Sequence, residues 1–422
     1  MPTLHYDPAY LAHPPLRSSD PVVHRSCSLH RQLGLTALIT VVALVALASA
    51  PLRAMAAVSG VTAGPAPSAP SLASGPGPGG RREVLGFLPY WELAAGDRDD
   101  DLLDTIAYFG LTVRADGSFD TSTPGWKAWN GSQLTSVIQA AHRRGARVVL
   151  VIQQSDDGTI DRLVGDPAAT SAAVRNVLEA LARRDLDGVN VDFEGSASSR
   201  YPDLRPGFTR FVATLSAAVH GRWPQAEVSV DTYSGSATTD QGFFDLAGLE
   251  PYVDAFFVMA YDMAFENLPG RAGPTAPLSG FRYNDQDAVR SYLSVVPASK
   301  LLLGLPFYGY EWPTASGDRY AVATGPPKAV TYAQLPRILA CIPSGPSWDD
   351  RSQTPWVAWQ GSADGCGPGT GWQELYFDDE RSLGLKADLV VQNHLRGLGI
   401  WALGYDGGAP ELWRQLEAKL TS

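Results

Sequence analysis

Residues 187–194 read Asp-Gly-Val-Asn-Val-Asp-Phe-Glu, and this stretch decides the fold reading. Val189, Val191 and Phe193 alternate with Asn190, Asp192 and Glu194. Period two is the signature of a strand. One face is apolar and suits packing outward under helices. The other aligns an amide with two carboxylates. Burying carboxylates costs free energy unless they are paired or in use. An inward row of acids that ends at Glu194 therefore reads as a catalytic row. The blander alternative is a set of hydrogen-bonded interior acids that only hold strands in register.

Outward from this strand, the chain alternates β-rich and helical runs. Strands are expected at Glu83–Tyr90, Thr105–Leu111, Arg147–Gln153, Leu186–Glu194, Glu227–Tyr233, Val253–Tyr261, Lys300–Tyr308 and Gly397–Tyr405. Runs such as Val148–Ile152 and Leu301–Leu305 are apolar throughout, as parallel strands buried on both faces are. Leu134, Val137, Ile138 and Ala141 follow helical spacing and stop at Gly145. Val174, Val177, Leu178 and Leu181 do the same before the Asp187–Glu194 strand, and Phe208, Phe211, Val212 and Leu215 after it. Repeated βα units predict an α/β chain folded as a (β/α)8 TIM barrel over 81–422, with an α+β-type insertion at about 313–380 between the seventh and eighth strands.

Barrel enzymes place their chemistry at the C-terminal strand ends. Those ends carry Tyr90 and Trp91, Gln153 and Gln154, Glu194, Asp231 and Tyr233, Tyr261 and Asp262, Tyr308 and Glu311, and Trp401 and Tyr405. Aromatic walls around central acids suit a polysaccharide, because sugar rings stack their C–H faces on aromatics while carboxylates bind hydroxyls and protonate a glycosidic oxygen. Asp192 and Glu194 lie two apart on one strand, about 6.6 Å along it. Both then sit on the same side of the sugar and cannot form a retaining acid–nucleophile pair. Either another strand supplies the nucleophile or a 2-acetamido group of the substrate does. In the second case Glu194 is the acid, and Asp192 orients the acetamido group and raises the Glu194 pKa.

The chain resembles glycoside hydrolase family 18, which includes chitinases, chitobiases and cell-wall N-acetylglucosaminidases. The family motif D-x-x-D-x-D-x-E is met by Asp187, Asp192 and Glu194, with Asn190 where the second acid stands. The sixth-strand Met and Tyr-Asp correspond to Met259, Tyr261 and Asp262, and the eighth-strand tryptophan to Trp401 in GLGIWALGYD. GFLPYW from Gly86 and GLPFYGYEW from Gly304 also fit. The resemblance implies a substrate-assisted, retaining hydrolase of β-1,4-linked N-acetylglucosamine polymers, with Glu194, Asp192, Tyr261 and Asp187 as catalytic residues. It implies Asn190, Trp91, Tyr90, Tyr233, Met259, Asp262 and Trp401 as substrate-binding residues, and no cofactor or metal. The family's Ser-x-Gly-Gly on the third strand is missing, since Val151–Asp157 reads VIQQSDD. That, with FDDERSLGLKADLV at Phe377–Val390, favours the cell-wall branch without excluding chitin.

Composition sets the remaining bounds. The 422 residues are 45% hydrophobic and 18% charged, with net charge −11. This is a soluble globular balance, and its acidic sign argues against nucleic acid as a partner. A monomer acting on a polysaccharide or oligosaccharide is expected. Arg17, Arg25 and Arg31 precede the apolar run Leu33–Ala50, which is followed by Ala54-Met55-Ala56. Residues 1–56 therefore read as an extension carrying a secretory signal or a membrane anchor, and 57–80 as a Pro/Gly/Ala linker. Either way the body lies outside the cytoplasm. In that compartment Cys341 and Cys366 are expected to form one disulfide.

Two rival classes fit the sequence less well. An inactive sugar-binding lectin on the same barrel is disfavoured by the presence of Glu194. A metal-dependent hydrolase using Asp187, Asp192 and Glu194 lacks a histidine at ligand spacing in the motif.

Overall fold

The computed structural model describes residues 81–421 apart from 95–99, 197, 239–241 and 364–366. The expected signal or anchor and the linker, together with Cys366, lie outside the described residues.

Seven parallel strands run in chain order: β1 (Glu83–Pro89), β2 (Thr105–Thr112), β3 (Arg147–Gln154), β4 (Gly188–Phe193), β5 (Glu227–Tyr233), β6 (Ala255–Met259) and β7 (Leu301–Pro306). After an insertion, β13 (Gly397–Trp401) pairs with both β7 and β1 and closes an eight-stranded barrel. All eight expected strands are present.

The alternation seen in the sequence separates two apolar layers. Val189, Val191 and Phe193 face the helices, where Phe193 meets Phe211 at 5.4 Å and Phe208 at 5.9 Å between ring centroids. Phe208 and Phe211 both lie on the helix Leu204–Arg222, so this helix clamps β4 from outside. Inside the barrel, Leu85, Phe87, Ala107, Phe109, Val149, Val151, Ala255, Phe257 and Leu302 form a separate core. Glycines admit the bulky rings: a Cβ at Gly304 would lie 2.7 Å from Phe257, and one at Gly399 2.5 Å from it.

The N-terminal end of the barrel is closed by charge. Arg396 donates to Glu83 at 2.6 Å, to Glu227 at 2.8 Å and to the Asp254 carbonyl at 3.0 Å. Arg147 binds the same two glutamates, each at 2.8 Å. Burial opposes ionisation of Glu83, yet Arg396 and Arg147 hold its carboxyl below the usual range.

The insertion differs in extent from the sequence expectation. The run Lys300–Tyr308 is not one strand. β7 ends at Pro306, and β8 (Tyr308–Thr314) opens a second, antiparallel sheet with β9 (Lys328–Thr331), β10 (Ser347–Asp349), β11 (Thr354–Gln360) and β12 (Trp372–Tyr376). The sheet order is β10-β11-β12-β8-β9. Gly309 is required there, because a Cβ would collide with the Tyr376 carbonyl on β12. Tyr308 and Glu311 thus belong to the insertion rather than to a barrel strand. Glu374 on β12 accepts from the backbone N–H groups of Tyr320 and Ala321, pinning the loop after β8.

Candidate active site

β4 delivers the acid row to the barrel mouth. Asn190 is wholly buried, Asp192 is 5% exposed, and Glu194 lies just past the strand end with its N–H bonded to the Gln154 carbonyl at 2.9 Å. Register sets Gln153 of β3 beside Asp192, and Ser229 of β5 beside Asn190. Asn190 donates to Ser229 Oγ at 3.1 Å and to Asp231 Oδ1 at 2.6 Å.

β6 supplies the facing groups. Tyr261 and Asp262 follow its last residue, and Asp262 adopts φ 58°, a left-handed turn that Asp and Asn tolerate better than most residues. Tyr308 donates to Asp262 Oδ1 at 2.5 Å. β5 adds Tyr233, whose hydroxyl donates to the Gly195 carbonyl at 3.4 Å. Trp91, Tyr261 and Trp401, joined by Met259, form the floor and rest on the inner core. Trp401 meets Phe109 edge-on at 4.7 Å and Phe87 at 5.6 Å.

The electrostatics follow from burial beside like charges. Burial and then Asp262 push the Glu194 carboxyl up to about 7. Burial, then Glu194 and Asp231, hold Asp192 well above the carboxylate range. Burial also keeps Tyr261 protonated, and the surrounding Asp231, Asp192, Asp262 and Glu194 reinforce this. The site therefore presents a proton donor at Glu194, a hydroxyl donor at Tyr261 and a carboxyl at Asp192, over an aromatic floor. Such a set can protonate a leaving oxygen and hold a developing positive charge beside it.

Three expected site residues stand elsewhere. Asp187 precedes β4 at the opposite end of the barrel, roughly 23 Å of extended chain from Glu194. It accepts from His142 Nε2 at 2.9 Å and from the Val148 N–H at 2.7 Å, so it fastens the base of β3 and cannot reach the mouth. Asn190 is wholly buried, and both its amide hydrogens bond to Ser229 and Asp231 of β5. Tyr90 turns to the outer core and braces Trp91 edge-on at 4.7 Å, while Trp91 faces inward. Conversely, the sequence pattern sets Asp231 at the mouth without assigning it a role. Its signal was available: Glu227, Ser229 and Asp231 repeat on β5 the alternation of β4.

The pattern described as glycosyl hydrolases family 18 matches residues 88–406, most of the described body. The chain belongs to glycosyl hydrolase family 18. It is a glycosidase with a carbohydrate substrate. Among relatives, it is 25% identical over 335 residues to human di-N-acetylchitobiase, covering 72% of this chain and 83% of that one. It is 24% identical over 258 residues to the cortical fragment-lytic enzyme of Bacillus subtilis, covering 60% and 54%. The fold matches that of the Ostrinia furnacalis group IV chitinase with a TM-score of 0.70 at 18% identity, covering 81% of this chain and 100% of that one.

Proposed function

We propose that the chain hydrolyses β-1,4 bonds of N-acetylglucosamine-containing polymers with retention, using the substrate's own acetamido group as nucleophile. Glu194 protonates the glycosidic oxygen as that bond breaks. The acetamido carbonyl oxygen attacks the anomeric carbon from the other face and forms an oxazolinium ring. Asp192 orients the acetamido N–H and balances the ring's positive charge. The Tyr261 hydroxyl donates to the acetamido oxygen, and Trp401 floors the sugar. Glu194, now anionic, takes a proton from the water that opens the ring, and the original configuration is restored.

The observation that carries this reading is the placing of Asp192 and Glu194 on one edge of the mouth. The facing carboxylate, Asp262, is held in a left-handed turn by Tyr308. A group at about 7 is well matched to alternate between acid and base near neutral pH. The sequence departures favour a cell-wall polymer, and the leader pattern supports a reading of the enzyme as extracytoplasmic, a monomer either released or tethered.

The test compares N-acetylglucosamine oligomers, peptidoglycan fragments and cellulose oligomers of equal length. Only the acetamido substrates are expected to react, and Glu194→Gln is expected to lose on the order of 10² to 10⁴-fold in kcat while keeping the fold. A covalent sugar trapped on Asp262, or efficient cleavage of cellulose oligomers, overturns the mechanism.

A further inference from the structure

The acid row on β4 is interrupted at Asn190, and the neighbouring strand continues it. Val228 and Val230 of β5 join the outer core, while Ser229 and Asp231 are buried on the inner side. The β4–β5 register pairs Asn190 with Ser229 and Val191 with Val230, so Asp231 comes next, alongside Asp192. Both amide hydrogens of Asn190 are spent on β5, on Ser229 Oγ and on Asp231 Oδ1. Its own Oδ1 is left buried without a partner. An amide can neither carry charge nor give up a proton, so the carboxyl beneath the reacting pair comes from β5.

The groups that act on Asp231 are few. Asn190 and Glu194 act from β4 and its end, and Asp231 in turn acts on Asp192 and on Tyr261, beyond β6. Tyr233 follows on its own strand and answers to Glu194, Asp192 and Asp157, while Asp262 acts on Glu194 and Tyr261. No Lys, Arg or His is among them. Two adjacent buried carboxyls without a cation do not both ionise at neutral pH, because each charge disfavours the other.

We propose that Asp231 is a positioning residue for Asp192, supplying through Asn190 the carboxyl that β4 lacks at position 190 and so fixing how many protons Asp192 and Glu194 share when sugar binds. This rests on the roles given to Asp192 and Glu194 above. Asp231 is buried, 3% exposed, with its carboxyl bonded to Asn190. Its action is electrostatic, on the protonation of the two acids above it.

The experiment moves the acid between strands. Full-chain wild type, Asp231→Asn, Asn190→Asp and the double variant Asn190→Asp/Asp231→Asn are assayed on an N-acetylglucosamine tetramer across pH, with melting temperatures alongside. Asp231→Asn is expected to lower kcat at least ~10-fold with KM within about twofold, as for a group felt mainly in the transition state. It is also expected to move the alkaline limb to lower pH, because Glu194 and Asp192 lose a negative neighbour. Asn190→Asp is expected to move that limb to higher pH. The double variant restores one carboxyl to the row and is expected to return the limb and most of kcat. A lower melting temperature with an unmoved limb overturns the proposal, as does a double variant no better than Asp231→Asn. Should Asp231→Asn fail to fold, the double variant decides alone: a wild-type limb supports the proposal and a displaced limb overturns it. A wild type inactive on the tetramer overturns the functional reading instead.

Discussion

Replacing Asp262 by Asn isolates one cause of the Glu194 proton affinity. The left-handed backbone at 262 accepts Asn readily, and an amide oxygen can still accept the Tyr308 hydroxyl. The change therefore removes a charge while keeping shape. Holding Glu194 at about 7 rather than 4.5 disfavours its anion by about 3 kcal/mol at 1.36 kcal/mol per pH unit. Burial is the larger cause and Asp262 the smaller, so neutralising Asp262 recovers less than half of this, on the order of 1 kcal/mol. In the proposed mechanism Glu194 acts in its protonated form, so kcat/KM is expected to fall as pH rises through its pKa. Wild type is expected to show that alkaline limb near 7. Asp262→Asn is expected to shift it to lower pH by roughly half a unit to one unit, whatever happens to the plateau. The assay is kcat/KM for a chromogenic N-acetylglucosamine oligomer between pH 4 and 9. A limb that stays in place, or moves upward, refutes the assignment of Asp262 as the neighbour that raises Glu194.

Other outcomes are equally open to measurement. Asp192→Ala and Tyr261→Phe should each lower kcat more than they raise KM, since their contacts strengthen as the oxazolinium forms; equal binding losses with an unchanged kcat count against both roles. Arg396→Leu strands Glu83 and Glu227 at the barrel base and should cost on the order of 3–5 kcal/mol in denaturant unfolding, with a cost below ~1 kcal/mol showing that Arg147 alone suffices. Mass spectrometry of the unreduced protein should find Cys341 linked to Cys366, and reduction should destabilise the insertion by about 3 kcal/mol; two free thiols reject the link.

Much of the barrel was legible because it is written in alternation. On β4 and β5 one face is valine and the other polar, and this marks the strands and their inward side together. Ends were less legible. The sixth strand, expected to run to Tyr261, stops at Met259, because nothing in a local pattern announces the left-handed residue that follows at Asp262. Pro306 was the available sign that the seventh strand stops early, and the aromatic run Tyr308–Trp312 concealed it by continuing the alternation into another sheet. Asp187 was misplaced for a different reason: a motif carries no direction, while a strand has two ends. Glu194 and Asp187 share eight residues of sequence and stand at opposite faces of the barrel. The inward side of Asp231 was written in the β5 alternation, while its pairing with Asn190 came with the β4–β5 register.

The inner core has a consequence for how the enzyme meets its solvent. Leu85, Phe87, Ala107, Val149, Val151, Phe257 and Leu302 fill the barrel below the acids and are at most 1% exposed, and the Arg396 bridges close the base beneath them. Among the described residues, the mouth is therefore the open side of Asp192, Asp231 and Glu194. In the proposed binding mode a sugar over Trp401 would cover it, so the acids would exchange protons with the substrate and with each other rather than with buffer, and the pH of the medium would act on which enzyme molecules begin a turnover.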